Sequence, residues 1–407
     1  MNKHLKFGLP LAAAIFLVGC GGSSSSDNNG PDTGGLPTTN QKFFDTAQWI
    51  IAPTAGTETC FDFDSNGEVD CAVGIWDMKL SLGAGARDSA KFYTNSGPLA
   101  TGKGGALGNT FNFSWEQLQS MQDTSTAPDG NPLLGPMFLT DSMDNAFASD
   151  NAFGGEAFAY VNQKILSKYS VFLISLDNAA AYDANSADIY AVQFVDYYGG
   201  ANGSTSGHPK VRYAKLSDLT TVKEVSINAS TNWAYFDLTT DQTVSKSGNW
   251  QLGFNRYNII TNSGDSGSGS VGSFLAQKAS GFYDDQGQLL EDKLTDSSLI
   301  AQAKTLLTDR SKWTTPTAAT DWQKDTLTSA LNPEYKGTVM TGFDYGFYLY
   351  TGMNESHPAG KHKFVANPQN GVLLRSGEGN SYARVHLTDI TDGQYTFDFE
   401  VAPVTTP

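Results

Sequence analysis

The stretch Trp250-Gln251-Leu252-Gly253-Phe254-Asn255-Arg256-Tyr257-Asn258-Ile259-Ile260-Thr261-Asn262-Ser263-Gly264 decides how this chain is read. Its tryptophan opens an alternating strand, Trp250 to Phe254, and its closing tetrapeptide occurs a second time as Thr94-Asn95-Ser96-Gly97. The neighbours of the two tetrapeptides agree as well. Upstream, Cys60 to Val69 lies without gaps over Tyr235 to Val244, with Phe61 on Phe236, Asp62 on Asp237 and Val69 on Val244. Trp76 then opens a strand to Leu80 as Trp250 does. Downstream, both copies enter a glycine-rich loop in which Gly102 matches Gly269 and Gly105 matches Gly272. Phe158-Ala159-Tyr160, Tyr169 to Ser175 and Tyr190 to Phe194 are answered by Phe347 to Tyr350, Gly371 to Ser376 and Tyr382 to His386. Shared landmarks in one order imply an internal duplication. The chain is therefore expected to hold two homologous domains in tandem, 41 to 216 and 226 to 407.

Within each copy, short β-branched and aromatic runs are separated by Gly, Asn, Asp and Ser, which predicts mainly antiparallel β structure. A few short helices are expected. The best candidates are Ser114 to Met121 and Asp296 to Thr308, the second capped by Asp296 or Ser297, with Leu299, Ile300, Ala303, Leu306 and Leu307 on one face. The segment from Phe282 to Gly337 reads as a long excursion inserted into the second sheet; such segments are functional or cover a core edge.

The chain has 407 residues, with 26 Lys+Arg against 42 Asp+Glu and a formal charge of −16. Without a basic run it has no footprint for displacing counterions from phosphate, so nucleic acid is excluded as a partner. Residues 1 to 20 read as a signal segment: Lys3 and Lys6 precede an apolar core from Leu9 to Val18, too short to span a bilayer. Leu17-Val18-Gly19-Cys20 resembles a bacterial lipobox, which implies lipidation of Cys20 and anchoring without a spanning helix. Residue 21 is Gly, not the Asp of inner-membrane retention, so an outer-membrane lipoprotein is expected. Residues 21 to 40, rich in Gly, Ser and Asn, form a flexible tether. Export places Cys60 and Cys71 in an oxidising compartment, on either side of an Asn66-Gly67 turn, and a cross-hairpin disulfide is expected. The alternative, a two-cysteine metal site, lacks a nearby His.

The block Trp-x-x-x-Phe-x-Arg-Tyr-x-x-x-Thr-Asn-Ser-Gly, followed by Val372-Leu373-Leu374-Arg375-Ser376 and Tyr382-Ala383-Arg384, resembles the HmuY-like haem-binding lipoproteins. The resemblance covers most of the second copy and, through the duplication, more loosely the first. It implies a small all-β fold anchored at the outer membrane that holds haem in a cleft for iron acquisition, with an outer-membrane haem receptor as a further partner. It also implies two axial ligands. One family ligand is a His shortly before the Val-Leu-Leu-Arg strand; Tyr350 and Lys361-His362-Lys363-Phe364 occupy that place, making His362 the matching candidate. The other follows the Thr-Asn-Gly region, yet Thr261 to Gly281 contains neither His nor Met. His357, joined to His362 by Pro358-Ala359-Gly360-Lys361, and Met353 are the further candidates.

Asp62, Asp64, Asn66 and Gly67 have the opening of a calcium loop, but Val73 stands where a bidentate Glu is needed, and a hairpin turn is the stronger reading. No Gly-x-Ser-x-Gly elbow or His-Glu-x-x-His is present, so no catalysis is expected. The competing function is that of a non-haem surface lipoprotein binding a glycan or an outer-membrane protein.

Overall fold

Alternation of apolar and polar residues builds most of the strands. In Asp45-Thr-Ala-Gln-Trp-Ile-Ile51, Ala47, Trp49 and Ile51 turn inward and their neighbours face water. The computed structural model describes residues 40–404 except 74, 85–89, 109–110, 149–154, 332–336 and 340–341. The signal segment, Cys20 and the tether up to residue 39 lie outside the described residues. None of the described helices is long and apolar enough to cross a membrane.

The first part of the chain forms β1 (Asp45–Ile51), β2 (Thr57–Asp62), β3 (Gly67–Val69), β4 (Met78–Leu82), β5 (Ala90–Thr94), β6 (Gly105–Leu107), helix α1 (Trp115–Gln119), β7 (Phe138–Leu139) and β8 (Ser142–Asp144). The middle forms β9 (Phe158–Val161), β10 (Lys164–Ser167), β11 (Val171–Ser175), β12 (Ile189–Gly199), β13 (Thr205–Lys215), β14 (Asp218–Ser226), β15 (Ala234–Asp237), β16 (Gln242–Val244), β17 (Leu252–Asn255), β18 (Asn258–Thr261) and β19 (Gly272–Gln277). Helix α2 (Ser297–Thr305) follows, then β20 (Thr326–Thr328), β21 (Gly337–Val339), β22 (Gly342–Asp344), β23 (Tyr348–Tyr350), β24 (Phe364–Ala366), β25 (Val372–Arg375), β26 (Tyr382–Thr391) and β27 (Gln394–Ala402). The protein is thus mainly antiparallel β. Both expected helices form: Ser114 closes a capping box with Gln117, and the Asp296 carboxylate accepts from the N–H groups of Ser298 and Leu299. The expected disulfide is present between Cys60 and Cys71, whose Cα atoms lie 5.3 Å apart.

The sheets fall into two lobes with one strand order. One large sheet runs β1-β27-β26-β25-β6-β7 and the other β14-β13-β12-β11-β19; each is accompanied by a four-stranded sheet, β3-β2-β4-β5 or β16-β15-β17-β18. The first core gathers Trp49, Phe61, Phe92, Phe347 and Phe397, with Trp49 stacked on Phe61 at 5.3 Å. The second gathers Phe172, Tyr190, Phe194, Tyr213 and Phe254. The first core draws on residues before 112 and after 330, the second on residues 146 to 271. One lobe is therefore an insertion within the other, and we call them inner and outer.

The expected units 41 to 216 and 226 to 407 each give strands to both lobes. β6 pairs with β25, through Leu374 and Ala106, and β19 pairs with β11 from Val171 to Ser175. The cause lies at the junction of the two units. β13 and β14 form a hairpin with only Leu216 and Ser217 between them, Lys215 pairing with Asp218. So short a link keeps β14 beside β13, whereas its counterpart β1 lies beside β27. Strands past the hairpin stay with the inner lobe until the chain crosses back.

It crosses twice, through residues 139–147 and 323–331. The two crossings pair with each other as a ribbon, β8 against β20, with Met143 opposite Leu327. The excursion after β19 covers the second face of the inner sheet. Leu307 and Trp322 pack there on Val171, Leu173 and Ala191, so β11 is buried on both sides.

Candidate functional site

The repeated Thr-Asn-Ser-Gly segments each fold around a buried aspartate at a crossing. Thr94 donates to Asp141 through its N–H at 3.2 Å and its hydroxyl at 3.1 Å, and Asp141 N–H returns a bond to Ser96 Oγ at 2.9 Å. Thr261 does the same to Asp325 at 2.8 and 2.7 Å, with Asp325 N–H to Ser263 Oγ at 3.3 Å. Asn95 and Asn262 bind Gly102 and Gly269, each accepting at 3.0 Å. At these glycines a Cβ would fall 2.5 and 2.7 Å from the asparagine side chain, which explains the matched glycines. Burial pushes Asp141 up to about 7, against the bonds from Ala330 and Thr94, and Asp325 up to about 6 against those from Ser266, Thr261 and Asn145. These segments are joints of the fold. The two aspartates were missed in sequence reading, although Asp141-Ser-Met-Asp-Asn-Ala146 and Asp325-Thr-Leu-Thr-Ser-Ala330 extend the repeat and carry the signal.

The haem-ligand candidates share one loop. β23 and β24 are joined by residues 351–363, whereas the corresponding β9–β10 hairpin turns in two residues, Asn162 and Gln163, both at positive φ. The long loop carries Met353, His357 and His362. Met353 is 71 % exposed. His362, also exposed, sits at φ 55° with its N–H bonded to the Gly352 carbonyl at 2.7 Å, next to Met353. Its Nδ1 pairs with the Tyr350 hydroxyl at 2.7 Å, an outer partner that orients the ring; in the tautomer in which Nδ1 donates to that hydroxyl, Nε2 is free to act as a ligand. His357 is differently placed. Its Nδ1 accepts the Ala359 N–H at 3.1 Å, so in the neutral ring Nε2 carries the proton. Beside His362 runs an aromatic ribbon: Phe343 stacks on Tyr350 at 6.3 Å, and Tyr350 lies 5.1 Å from Phe364.

The other described histidines are packed. His386 stacks on Trp115 at 3.7 Å, and His208 is buried with Nδ1 against the Thr205 and Ser206 carbonyls. The acidic turn is structural in the same way. Asp62, Asp64 and Asp77 approach within 4.8 Å, but Asp62 caps the N–H groups of Asp64 and Ser65, Asp64 accepts from Ser381, and Asp77 holds Phe63 N–H at 2.8 Å. In the inner lobe, neutral Gln251 holds Leu238 N–H at 2.7 Å in the position of Asp77.

A cleft of about 760 Å³ opens between the lobes, walled by β4 and β5 on one side and by β15 and β18 on the other, with Leu327 of the crossing ribbon also lining it. Trp233 stacks on Tyr235 at 6.2 Å in its wall, and Tyr235 lies 4.8 Å from Trp250.

Fold and surfaces together define a double-lobed antiparallel β protein with an aromatic, histidine-bearing loop on one lobe. Residues 229–399 match the family model described as HmuY protein, and this stretch of the chain is HmuY-like. The match begins ahead of β15 in the inner lobe and ends within β27 of the outer lobe, so it spans strands of both. No curated protein and no solved structure matches.

Proposed function

We propose that this protein is a haem-binding lipoprotein of the outer membrane, tethered through Cys20, that contributes to haem acquisition. The match of residues 229–399 to the HmuY family carries this reading. The outer-membrane address rests on the lipobox-like Leu17-Val18-Gly19-Cys20 and the absence of Asp at residue 21.

Haem is cargo here, and the loop between β23 and β24 suits it chemically. His362 offers Nε2 to iron while Tyr350 holds Nδ1, and the ribbon of Phe343, Tyr350 and Phe364 offers aromatic surface to a flat macrocycle. Met353, exposed next to the Gly352 whose carbonyl accepts the His362 N–H, is the second candidate donor. The reading makes the outer lobe the haem-binding lobe, because the β9–β10 turn has no such loop.

Titration of the mature protein with haemin tests it. A Soret shift that is lost or displaced in His362→Ala and unchanged in His386→Ala supports the assignment. A shift indifferent to His362→Ala removes this residue as ligand, and no shift with the wild type removes the haem reading. Mass spectrometry of the N-terminal peptide reads Cys20 acylation directly.

A further inference from the structure

We infer that the cleft between the lobes is a second binding site, separate from the histidine loop, and that it takes a carboxylate-bearing oligosaccharide. The inference does not depend on haem binding.

The cleft volume, about 760 Å³, falls within the roughly 300–1,000 Å³ of small-ligand sites. Its lining combines three kinds of group. Trp233, half-buried and backed by Tyr235, offers an indole face of the kind that stacks on the C–H face of a sugar ring. The hydroxyls of Ser81 and Thr101 also line it, and these would be left unpaired by a lipid chain or a porphyrin. Lysines enter from both lobes, Lys91 from β5 and Lys246 from the turn between β16 and β17.

Charge selects an anion. The protein carries −16 overall, yet three lysines, Lys79, Lys91 and Lys246, line this one cleft against two carboxylates, Glu58 and Asp265, the second of which accepts the Leu327 N–H at 2.7 Å. Lys79 is already held by Glu58 at 2.9 Å and lies 5.0 Å from the Tyr93 ring centre. Lys91 and Lys246 have no carboxylate partner among the described residues, and both are exposed. Water solvates these two ammonium groups in the free cleft; the carboxylates of an oligouronate give them charged partners that a neutral sugar does not. The site exists only because the lobes face each other, since each wall alone supplies one of the two lysines.

Calorimetric titration of the mature protein with tetragalacturonate, and with its neutral methyl ester, tests the inference. The acid form is expected to bind about tenfold or more tightly than the ester. Lys91→Gln with Lys246→Gln should erase that preference, Trp233→Ala should abolish binding and Trp233→Phe should keep it. His362→Ala should leave binding unchanged, which separates this site from the haem reading. No heat with the acid form, equal affinity for acid and ester, or binding that survives Trp233→Ala in protein with unaltered circular dichroism would each overturn it.

Discussion

Asn145 donates to Asp325 Oδ1 at 3.1 Å and to the Ile259 carbonyl at 3.1 Å, fixing one crossing of the chain to the other. Its counterpart Ser329 donates to the Phe92 carbonyl, and the Ala330 N–H reaches Asp141 Oδ1 at 2.8 Å. The two crossings are therefore locked by reciprocal bonds around two buried carboxyls, and the consequences are measurable.

Stability should depend on pH through these carboxyls. Asp141 and Asp325 rise from 3.8 to about 7 and about 6 on folding, because burial outweighs the donors around them. A raised carboxyl favours the folded state fully below pH 4, and that contribution is lost as pH climbs through 6 to 7. Urea unfolding at pH 5 and pH 8 should show lower stability at pH 8. The difference should shrink in Asp141→Asn with Asp325→Asn; an unchanged difference would rule these groups out. Asp64, pushed up to about 6 by burial, adds in the same direction.

The turn glycines of the two joints should tolerate no side chain. A Cβ at Gly97 would stand 2.0 Å from the Asp141 carbonyl oxygen, and one at Gly264 1.9 Å from that of Asp325, both at positive φ. Gly97→Ala or Gly264→Ala should cost at least about 2 kcal/mol by thermal or chemical unfolding. Gly130→Ala, at similar φ in open space, should cost only about 1 kcal/mol. Equal costs at the three sites would contradict the steric account.

The inner lobe should fold alone. Every strand partner of β9 to β19 lies within residues 141–329, and so do its core clusters, Met143 included. A fragment of those residues is expected to be monomeric by gel filtration and to unfold cooperatively. A fragment starting at 226 lacks β11 and β6, the partners of its β19 and β25, and should show either a changed association state or weaker cooperativity.

Reduction should weaken the outer lobe. The Cys60–Cys71 bond closes a loop of 11 residues, a constraint of about 2–3 kcal/mol on the unfolded chain. Unfolding with and without reductant, followed by tryptophan fluorescence, reads the loss; identical midpoints would show that the bond contributes nothing.

Strands, caps, the hairpin staple and the repeated landmarks were legible in the sequence because each rests on local chemistry. Period-two burial, Ser114 and Asp296 at helix starts, and Asn66-Gly67 between two cysteines need only a few neighbouring residues. The link of Leu216 and Ser217 was legible too, yet its meaning depends on knowing that β13 and β14 flank it. The position of His362 beside Tyr350 follows from the hairpin that joins β23 to β24, but the separate fates of His357 and His362 rest on one hydrogen bond each.

Which edge pairs with which was decided by tertiary structure alone. Two copies of one strand order present nearly identical edges, so backbone pairing does not distinguish closure within a copy from exchange between copies. The two-residue hairpin does, by holding β14 where the inner lobe needs it. Tertiary structure adds to that constraint the crossings, the buried Asp141 and Asp325 that lock them, and the cleft lined by both Lys91 and Lys246, 155 positions apart in the chain. Sequence determined the parts because they are local; the exchange and the cleft are relations between distant segments, which only packing brings together.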